Sequence, residues 1–313
     1  MITTEREKSL KMKRLNRYIN HLADITGKNV IVTGANSGLG FSICDILLQK
    51  GAHIVMACRN GKRAEEARAL LKAKHLNGRI DIILYNQASL SSIASFAQSL
   101  MTEHSDFYAL ILNAGIFHPK KNDKFENSIP LTIGTNFLGP LYLIHLLQGY
   151  LVNATSEKRI ILHGSLAYHF VRYKNKEESL LNLKNGPMKQ YSYSKLGLTE
   201  AFYFYSLSNQ NPNVKYLLCE PGVSSTGIIR NYKKWFKTIA SYALAIGLPN
   251  TRKACLSACY LTTQKVANGN YYRPRGIMPI GGYPRLHNLK NKYVDYRIVI
   301  DGLDILEKFY AVI

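Results

Sequence analysis

Tyr191 and Lys195 stand four residues apart in Tyr191-Ser192-Tyr193-Ser194-Lys195. On a helix these two side chains share one face. A phenol ionises at about pH 10 and is a weak acid–base group at neutral pH. A neighbouring ammonium favours the phenolate and lowers that value. A phenol tuned in this way exchanges a proton with a carbonyl or alcohol oxygen. Tyr193, two positions on, points to another side of the helix and is assigned to packing or a pocket rim.

A second stretch lies far upstream. Val30-Ile31-Val32-Thr33 is a β-branched apolar run that feeds Gly34-Ala35-Asn36-Ser37-Gly38-Leu39-Gly40, and an apolar-periodic segment, Phe41 to Leu48, follows. Strand, glycine turn and helix start form the arrangement that binds a dinucleotide pyrophosphate. Gly34 permits the tight turn, Gly38 leaves room for backbone to approach phosphate, and Gly40 lets the helix pack on the strand. The spacing, Gly-x3-Gly-x-Gly, departs from the commoner Gly-x-Gly-x2-Gly.

Together these stretches resemble the short-chain dehydrogenase/reductase family. Further pieces occur in the family's order: Leu112-Asn113-Ala114-Gly115, Asn136 in Thr135-Asn136-Phe137-Leu138-Gly139, Ser165 closing Arg159 to Ser165, and Glu220-Pro221-Gly222-Val223-Ser224-Ser225-Thr226. The resemblance covers residues 25 to 275. Ala57-Cys58-Arg59-Asn60, Leu181-Asn182-Leu183 and the long stretch between Ser165 and Tyr191 are similar to the retinol-dehydrogenase-like and protochlorophyllide-reductase-like branch.

The resemblance implies hydride transfer between a nicotinamide cofactor and a small-molecule apolar carbonyl or alcohol substrate, a bulky one by the branch it is similar to. It casts Tyr191 as the acid–base group, Lys195 as its tuner and as a ligand of the nicotinamide ribose, Ser165 as a hydrogen-bond donor to the substrate oxygen, and Asn136 as holder of a proton relay through Lys195. It sets the Asn36 to Gly40 amides, including those of Ser37 and Leu39, on the pyrophosphate. Asn113, Ala114 and Gly115 pass beside the adenosine ribose, and Pro221, Gly222, Val223 and Thr226 lie near the nicotinamide amide. Asn86-Gln87 falls where the family usually has Asp and an apolar residue against adenine; an amide can still accept from the adenine amino group. A fold selecting NAD usually carries an acid after the second strand. This chain has Arg59 and Asn60 there, with Lys62 and Arg63 nearby. A guanidinium suits a 2′-phosphate, which predicts NADP(H) over NAD(H). A catalytically silent dinucleotide sensor or scaffold of the same fold is the alternative, and intact Asn136, Ser165, Tyr191 and Lys195 speak against it.

Strands and helices alternate along the chain. Strands are expected at Asn29 to Thr33, His53 to Cys58, Ile80 to Tyr85, Ala109 to Leu112, Arg159 to His163, Lys215 to Cys219 and near Asn270 to Tyr272. Helices are expected at Leu39 to Lys50, Lys62 to His75, Leu90 to Glu103, Leu131 to Leu151, Tyr191 to Asn209, Thr251 to Thr262 and Leu303 to Tyr310. The class is α/β: a doubly wound Rossmann fold with a mostly parallel sheet of about seven strands and helices on both faces. Ligands of such sheets bind beyond the carboxyl ends of the strands, where the motifs fall. Residues 1 to 24 read as a basic N-terminal extension, and 25 to 313 as one domain with a substrate loop near 224 to 250. Ile228, Ile229, Trp235, Phe236, Tyr242 and Leu244 offer that loop an apolar wall.

The chain has 313 residues and is 46% hydrophobic, enough for a sizeable core. Its 41 Lys and Arg against 20 Asp and Glu give a formal charge of +21. The positive residues are spread along the chain without a nucleic-acid-binding motif, so a solvated basic surface is expected and no nucleic-acid partner. The five cysteines form no CxxC pair, which predicts free thiols in a reducing cytoplasm. His163 and His169 sit in no metal-ligand set, and no metal is expected. The charged N-terminus lacks an apolar signal core, and no run of about 20 apolar residues predicts a spanning helix. Residues 238 to 248, after the basic-aromatic run Arg230 to Lys237, could rest weakly on a membrane surface. By resemblance, helices 131 to 151 and 191 to 209 are homodimer surfaces.

Overall fold

The computed structural model describes residues 5–117, 119, 123–126, 129–173, 180–182, 184–221, 251–275, 282–288 and 295–310. A first helix, α1 (Glu5–Asn20), precedes β1 (Asn29–Thr33), α2 (Gly38–Gln49), β2 (His53–Cys58), α3 (Gly61–Lys74), β3 (Ile80–Leu84), α4 (Leu90–Met101) and β4 (Ala109–Leu112). A small ribbon, β5 (Lys124–Phe125) with β6 (Ile129–Pro130), leads into α5 (Leu131–Ile133), a π-turn at Gly134–Leu138 and α6 (Gly139–Val152). Then come β7 (Lys158–His163), a 3-10 turn at Leu166–Phe170, α7 (Pro187–Ser208) and β8 (Val214–Cys219). The last described elements are α8 (Thr251–Ala254), α9 (Leu256–Thr263), β9 (Tyr271–Pro274), β10 (Pro284–His287) and α10 (Arg297–Tyr310).

Eight strands form one sheet in the order β10-β9-β8-β7-β4-β1-β2-β3, parallel except for β10 against β9. The chain leaves β1 toward β2 and β3, then returns to the other side of β1 with β4. This reversal opens a crevice at the strands' carboxyl ends. Strands β2, β4 and β7 are buried along their whole length, as strands covered on both faces must be.

Two apolar clusters flank the sheet. One joins Ile31, Leu110 and Ile160 to Phe96 of α4, Leu141 of α6, Phe202 of α7 and Ile298 of α10. The other joins Val32, Met56 and Ile161 to Ile19 of α1, Ile46 of α2, Leu71 of α3 and Cys259 of α9. The apolar face of α1, Leu15 and Ile19, is thus part of the sheet's own core. Helix α10 lies against α6 and α7, and Phe137 reaches the Gly302 position between them.

The expected pattern needs three corrections. The sheet has an eighth strand, β10, where about seven are expected; its antiparallel pairing to β9 leaves no βαβ signature. The helix expected from Leu131 to Leu151 is opened by the π-turn around Asn136. The helix expected from Thr251 to Thr262 is two pieces separated at Cys255.

Arg159 on β7 is buried, and its Nη1 donates to the carbonyls of Leu261 (2.6 Å), Thr262 (3.1 Å) and Gln264 (2.8 Å) at the end of α9. Its Nε donates to Glu157, and the guanidinium lies over the Tyr108 ring. Helix carboxyl ends leave carbonyls that need such donors. Arg159→Leu is expected to lower the unfolding free energy by about 3 kcal/mol in chemical denaturation, because it strands carbonyls that accept from a charge.

Candidate active site

The glycine turn begins where β1 ends. Gly34 and Gly38 hold φ of +65° and +57°, the left-handed region that suits glycine. A Cβ on Gly40 would stand 2.3 Å from the Gly34 carbonyl oxygen and 2.7 Å from Asn113 Nδ2. Ser37 stands at the N-cap of α2 without a side-chain capping bond, and the first turn of α2 has no acidic residue. The first amides of α2 therefore keep their donors toward the crevice, and the helix dipole favours an anion there. Asn36 and Leu39 are partly buried and Ser37 is exposed. These bare amides at the start of a helix, held in place by the close packing at Gly40, fit a pyrophosphate.

Asn113 locks the turn to the rest of the site. Its Nδ2 donates to the Thr33 carbonyl at 2.8 Å, and its Oδ1 faces His163 Nδ1 at 3.0 Å. The Ala114 amide donates to Thr33 Oγ1 at 2.9 Å, while Gly115 is exposed. Since Oδ1 can only accept, His163 Nδ1 carries the proton. Burial, with the Lys195 charge second, holds the imidazole down to about 3, so it stays neutral.

Arg59 is exposed at the end of β2, beside the turn through the Gly34 amide to Ala57 carbonyl bond of 2.8 Å. Asn60 caps α3: its Oδ1 accepts from the Arg63 amide at 2.9 Å. Asn86 Oδ1 accepts from the Ala88 amide at 3.2 Å. Gln87 corrects the expectation of an adenine-facing amide. It is buried, its Nε2 donates to the carbonyls of Ala114 (3.0 Å) and Thr135 (2.6 Å), and its Oε1 accepts from Tyr85. Both ends of that amide are spent on tying β3 to β4 and to the π-turn.

Asn136 sits in the π-turn and is buried. Its Oδ1 accepts from the Ile116 amide and its Nδ2 donates to the Ile116 carbonyl, each at 2.8 Å; a further bond reaches Ser194 Oγ at 3.3 Å. Gly115 leaves open a space that both Asn136 Oδ1 and Lys195 Nζ face, at 3.4 and 3.9 Å from where a Cβ would stand.

Tyr191 and Lys195 lie on the first turns of α7, and Pro187 starts this helix one turn earlier than expected. Lys195 is buried, donates to the His163 carbonyl at 2.8 Å and has its Nζ 5.8 Å from the Tyr191 ring centre. Ser165 follows β7 and caps the 3-10 turn, accepting from the Ala167 amide, and its hydroxyl stands near enough to the Tyr191 phenol to favour its ionised form. Phe117 meets the Tyr191 ring edge-on at 4.9 Å. The expectation of a lowered phenol is corrected. Burial raises the Tyr191 phenol, the Ser165 hydroxyl holds it back, and the charge of Glu220 adds to the rise. Burial lowers Lys195 to about 8, against Cys219 and Glu220, which favour its ammonium form. In the protein alone, desolvation is the largest influence on the phenol, and the Lys195 ammonium is not among those that lower it. The arrangement is a phenol that keeps its proton, with a hydroxyl and an ammonium beside it.

Tyr193 is buried, meets Tyr173 edge-on and helps line a cavity of about 440 Å³ with Phe170, Met188 and Lys189. Pro221 is partly buried at the end of β8. Gly222, Val223 and Thr226, the expected substrate loop and its apolar wall lie outside the described residues. Sequence reasoning missed Phe117 and Glu220. Glu220 offered one signal, a carboxylate closing an apolar strand directly before proline.

No described helix is long and apolar enough to cross a membrane, and all five cysteines are buried and unpaired. A sequence profile of the short chain dehydrogenase family matches residues 28–237. Retinol dehydrogenase 14 of Mus musculus is 32% identical over 217 residues, 66% of this chain and 64% of the relative. The chain thus spans just under two thirds of that relative's length. Short-chain dehydrogenase TIC 32 B, chloroplastic, of Brassica napus is 24% identical over 301 residues, covering 91% of this chain and 92% of its own. Among solved structures, the Pseudomonas aeruginosa RhlG/NADP active-site complex superposes with a TM-score of 0.61 at 18% identity, covering 79% of this chain and 94% of that one.

Proposed function

The chain belongs to the short-chain dehydrogenase/reductase family, and on that footing we propose that it is an NADP(H)-dependent oxidoreductase interconverting a carbonyl and an alcohol on an apolar substrate. The observation that carries this reading is the meeting of Tyr191, Ser165 and Lys195 at the carboxyl end of β7, bridged by His163 and Asn113 to the glycine turn. NADPH supplies a hydride when bound; the protein orients the reactants and handles the proton.

In carbonyl reduction, Tyr191 Oη, protonated at neutral pH, donates its proton to the oxygen that becomes the alcohol, whose developing alkoxide is the stronger base. The Ser165 hydroxyl donates to the same oxygen and stabilises charge as it develops. Lys195, fixed by the His163 carbonyl, would hold the nicotinamide ribose with its remaining protons and would stabilise the phenolate left on Tyr191. Asn136 anchors the Ile116 backbone and shares the space at Gly115 with Lys195, which suits a proton relay. The retinol dehydrogenase relative supports a bulky apolar alcohol or aldehyde as substrate, and free thiols support a reducing compartment such as the cytoplasm. A homodimer through α6 and α7 would have to use the faces that α10 leaves uncovered.

The exposed Arg59 is our choice for the 2′-phosphate. NADPH is expected to give a kcat/KM at least ~10-fold above that of NADH. Arg59→Glu should reverse the order, since removing one charge-assisted hydrogen bond and adding one repulsion each count for about 1.4 kcal/mol. Steady-state rates with both cofactors and an apolar aldehyde check this; equal use of NADH by the unaltered protein would overturn the choice of cofactor.

A further inference from the structure

Glu220 is the buried charge that the chemistry above leaves without a task. It follows β8, and its amide donates to the Tyr272 carbonyl at 3.0 Å, which fixes its backbone in the sheet. Its side chain is 0% exposed. Neither carboxyl oxygen has a hydrogen-bond partner among the described residues. A carboxylate buried in that way is costly unless a positive charge answers it.

Two described charges answer it, Arg273 on β9 and Lys195 on α7, and the run of the side chain brings it toward the second. A Cβ on Gly164 would lie 3.5 Å from Glu220 Cγ, so the carboxyl arm runs alongside the bare Gly164. Gly164 joins His163, whose carbonyl holds the Lys195 ammonium, to Ser165, whose hydroxyl stands near the Tyr191 phenol. The carboxyl therefore sits behind the strand end that carries both groups. The charged and titratable groups facing it are Tyr191 and Lys195 from α7, Tyr271 and Arg273 from β9, and Cys219 from β8. Tyr271 Oη is buried and stands near enough to favour the ionised carboxyl, without completing a hydrogen bond of ordinary geometry.

We infer that Glu220 is a positioning residue for the chemistry proposed above: its carboxylate acts through the β7 end to hold Lys195 as an ammonium and Tyr191 as a phenol. The reading of Tyr191 and Lys195 as the reacting pair is its premise. Burial raises the Glu220 carboxyl, while Tyr271, Arg273 and Lys195 hold it back, and the carboxylate and the Lys195 ammonium each favour the other's charged form. The sign follows from charge. Without the carboxylate, the ammonium loses its proton at lower pH, and the rate of carbonyl reduction falls off at lower pH.

The test is the pH dependence of NADPH-driven reduction for the full chain and for Glu220→Gln, Glu220→Asp and Tyr271→Phe, beside NMR titration of Lys195 in protein carrying ¹³Cε-lysine. Glu220→Gln is expected to move both the alkaline fall in rate and the Lys195 titration to lower pH by roughly one unit. Glu220→Asp keeps the charge and should leave both where they are. Tyr271→Phe removes a hydroxyl that favours the ionised carboxyl, so it should move both the same way by less. A Glu220→Gln variant that is slower at every pH with neither curve moved would overturn the inference, and so would equal shifts for Gln and Asp. Should Glu220→Gln fail to fold, an unmoved Lys195 titration in Tyr271→Phe overturns it instead. The NMR curve needs no turnover. Shifts there in a protein that reduces nothing would support the role of Glu220 while removing the proposed activity.

Discussion

Tyr191→Phe is expected to lower turnover by about 10²- to 10⁴-fold, the range that a positioned proton donor contributes, while leaving NADPH binding within a factor of about two. The exchange removes one hydroxyl and keeps the ring that packs edge-on against Phe117. Lys195 keeps its bond to the His163 carbonyl, and Asn113 keeps the glycine turn in place, because neither depends on the Tyr191 oxygen. Tyr193→Phe is the internal control. Tyr193 packs by Tyr173 and lines the cavity with Phe170 and Met188, so its loss should alter KM for bulky substrates more than kcat. Steady-state kinetics on the two variants separate the roles; full activity in Tyr191→Phe with loss in Tyr193→Phe would assign the proton to the other phenol.

Gly40→Ala is expected to weaken NADPH binding on the order of 100-fold and to lower stability by about 1 to 3 kcal/mol, the cost of forcing an extra methyl into a packed site. The new Cβ would meet the Gly34 carbonyl at 2.3 Å. Backbone at both ends of the turn has to move, and with it the amides that face the pyrophosphate. Fluorescence titration with NADPH, paired with thermal melting, reads both effects. Unchanged affinity in a protein destabilised as expected would mean that the cofactor does not rest on this turn.

The sheet was legible because its strands are covered on both faces. Val30 to Val32, Ile54 to Ala57 and Ala109 to Leu112 are short apolar runs that only a buried parallel sheet accommodates, and β1, β2 and β4 have the expected bounds. Strand β10 was not legible, since Pro284 to His287 is partly exposed, lies at an edge and owes its pairing to β9. The π-turn at Asn136 has no local signature either; it lies where Phe137 packs closely against Gly197 of α7 and Gly302 of α10. Within the site, residue types and order pointed to Tyr191, Ser165, Lys195 and Asn136, which the fold brings to one crevice. Gln87 misled because an amide's type does not say whether it faces a ligand or its own backbone. The direction of the Tyr191 shift was hidden for a related reason: spacing reveals a neighbouring ammonium, whereas desolvation is a property of the assembled fold.

The most direct measurement is deuterium transfer from NADPH deuterated at the nicotinamide C4 position to a panel of apolar aldehydes and ketones. It should compare the unaltered protein with Tyr191→Phe at matched cofactor occupancy. The account predicts alcohol carrying deuterium at the carbinol carbon from the unaltered protein, and that product reduced by at least about 10²-fold in the variant. Equal labelled product from both proteins would contradict it, as would tight NADPH binding with no deuterium delivered to any member of the panel.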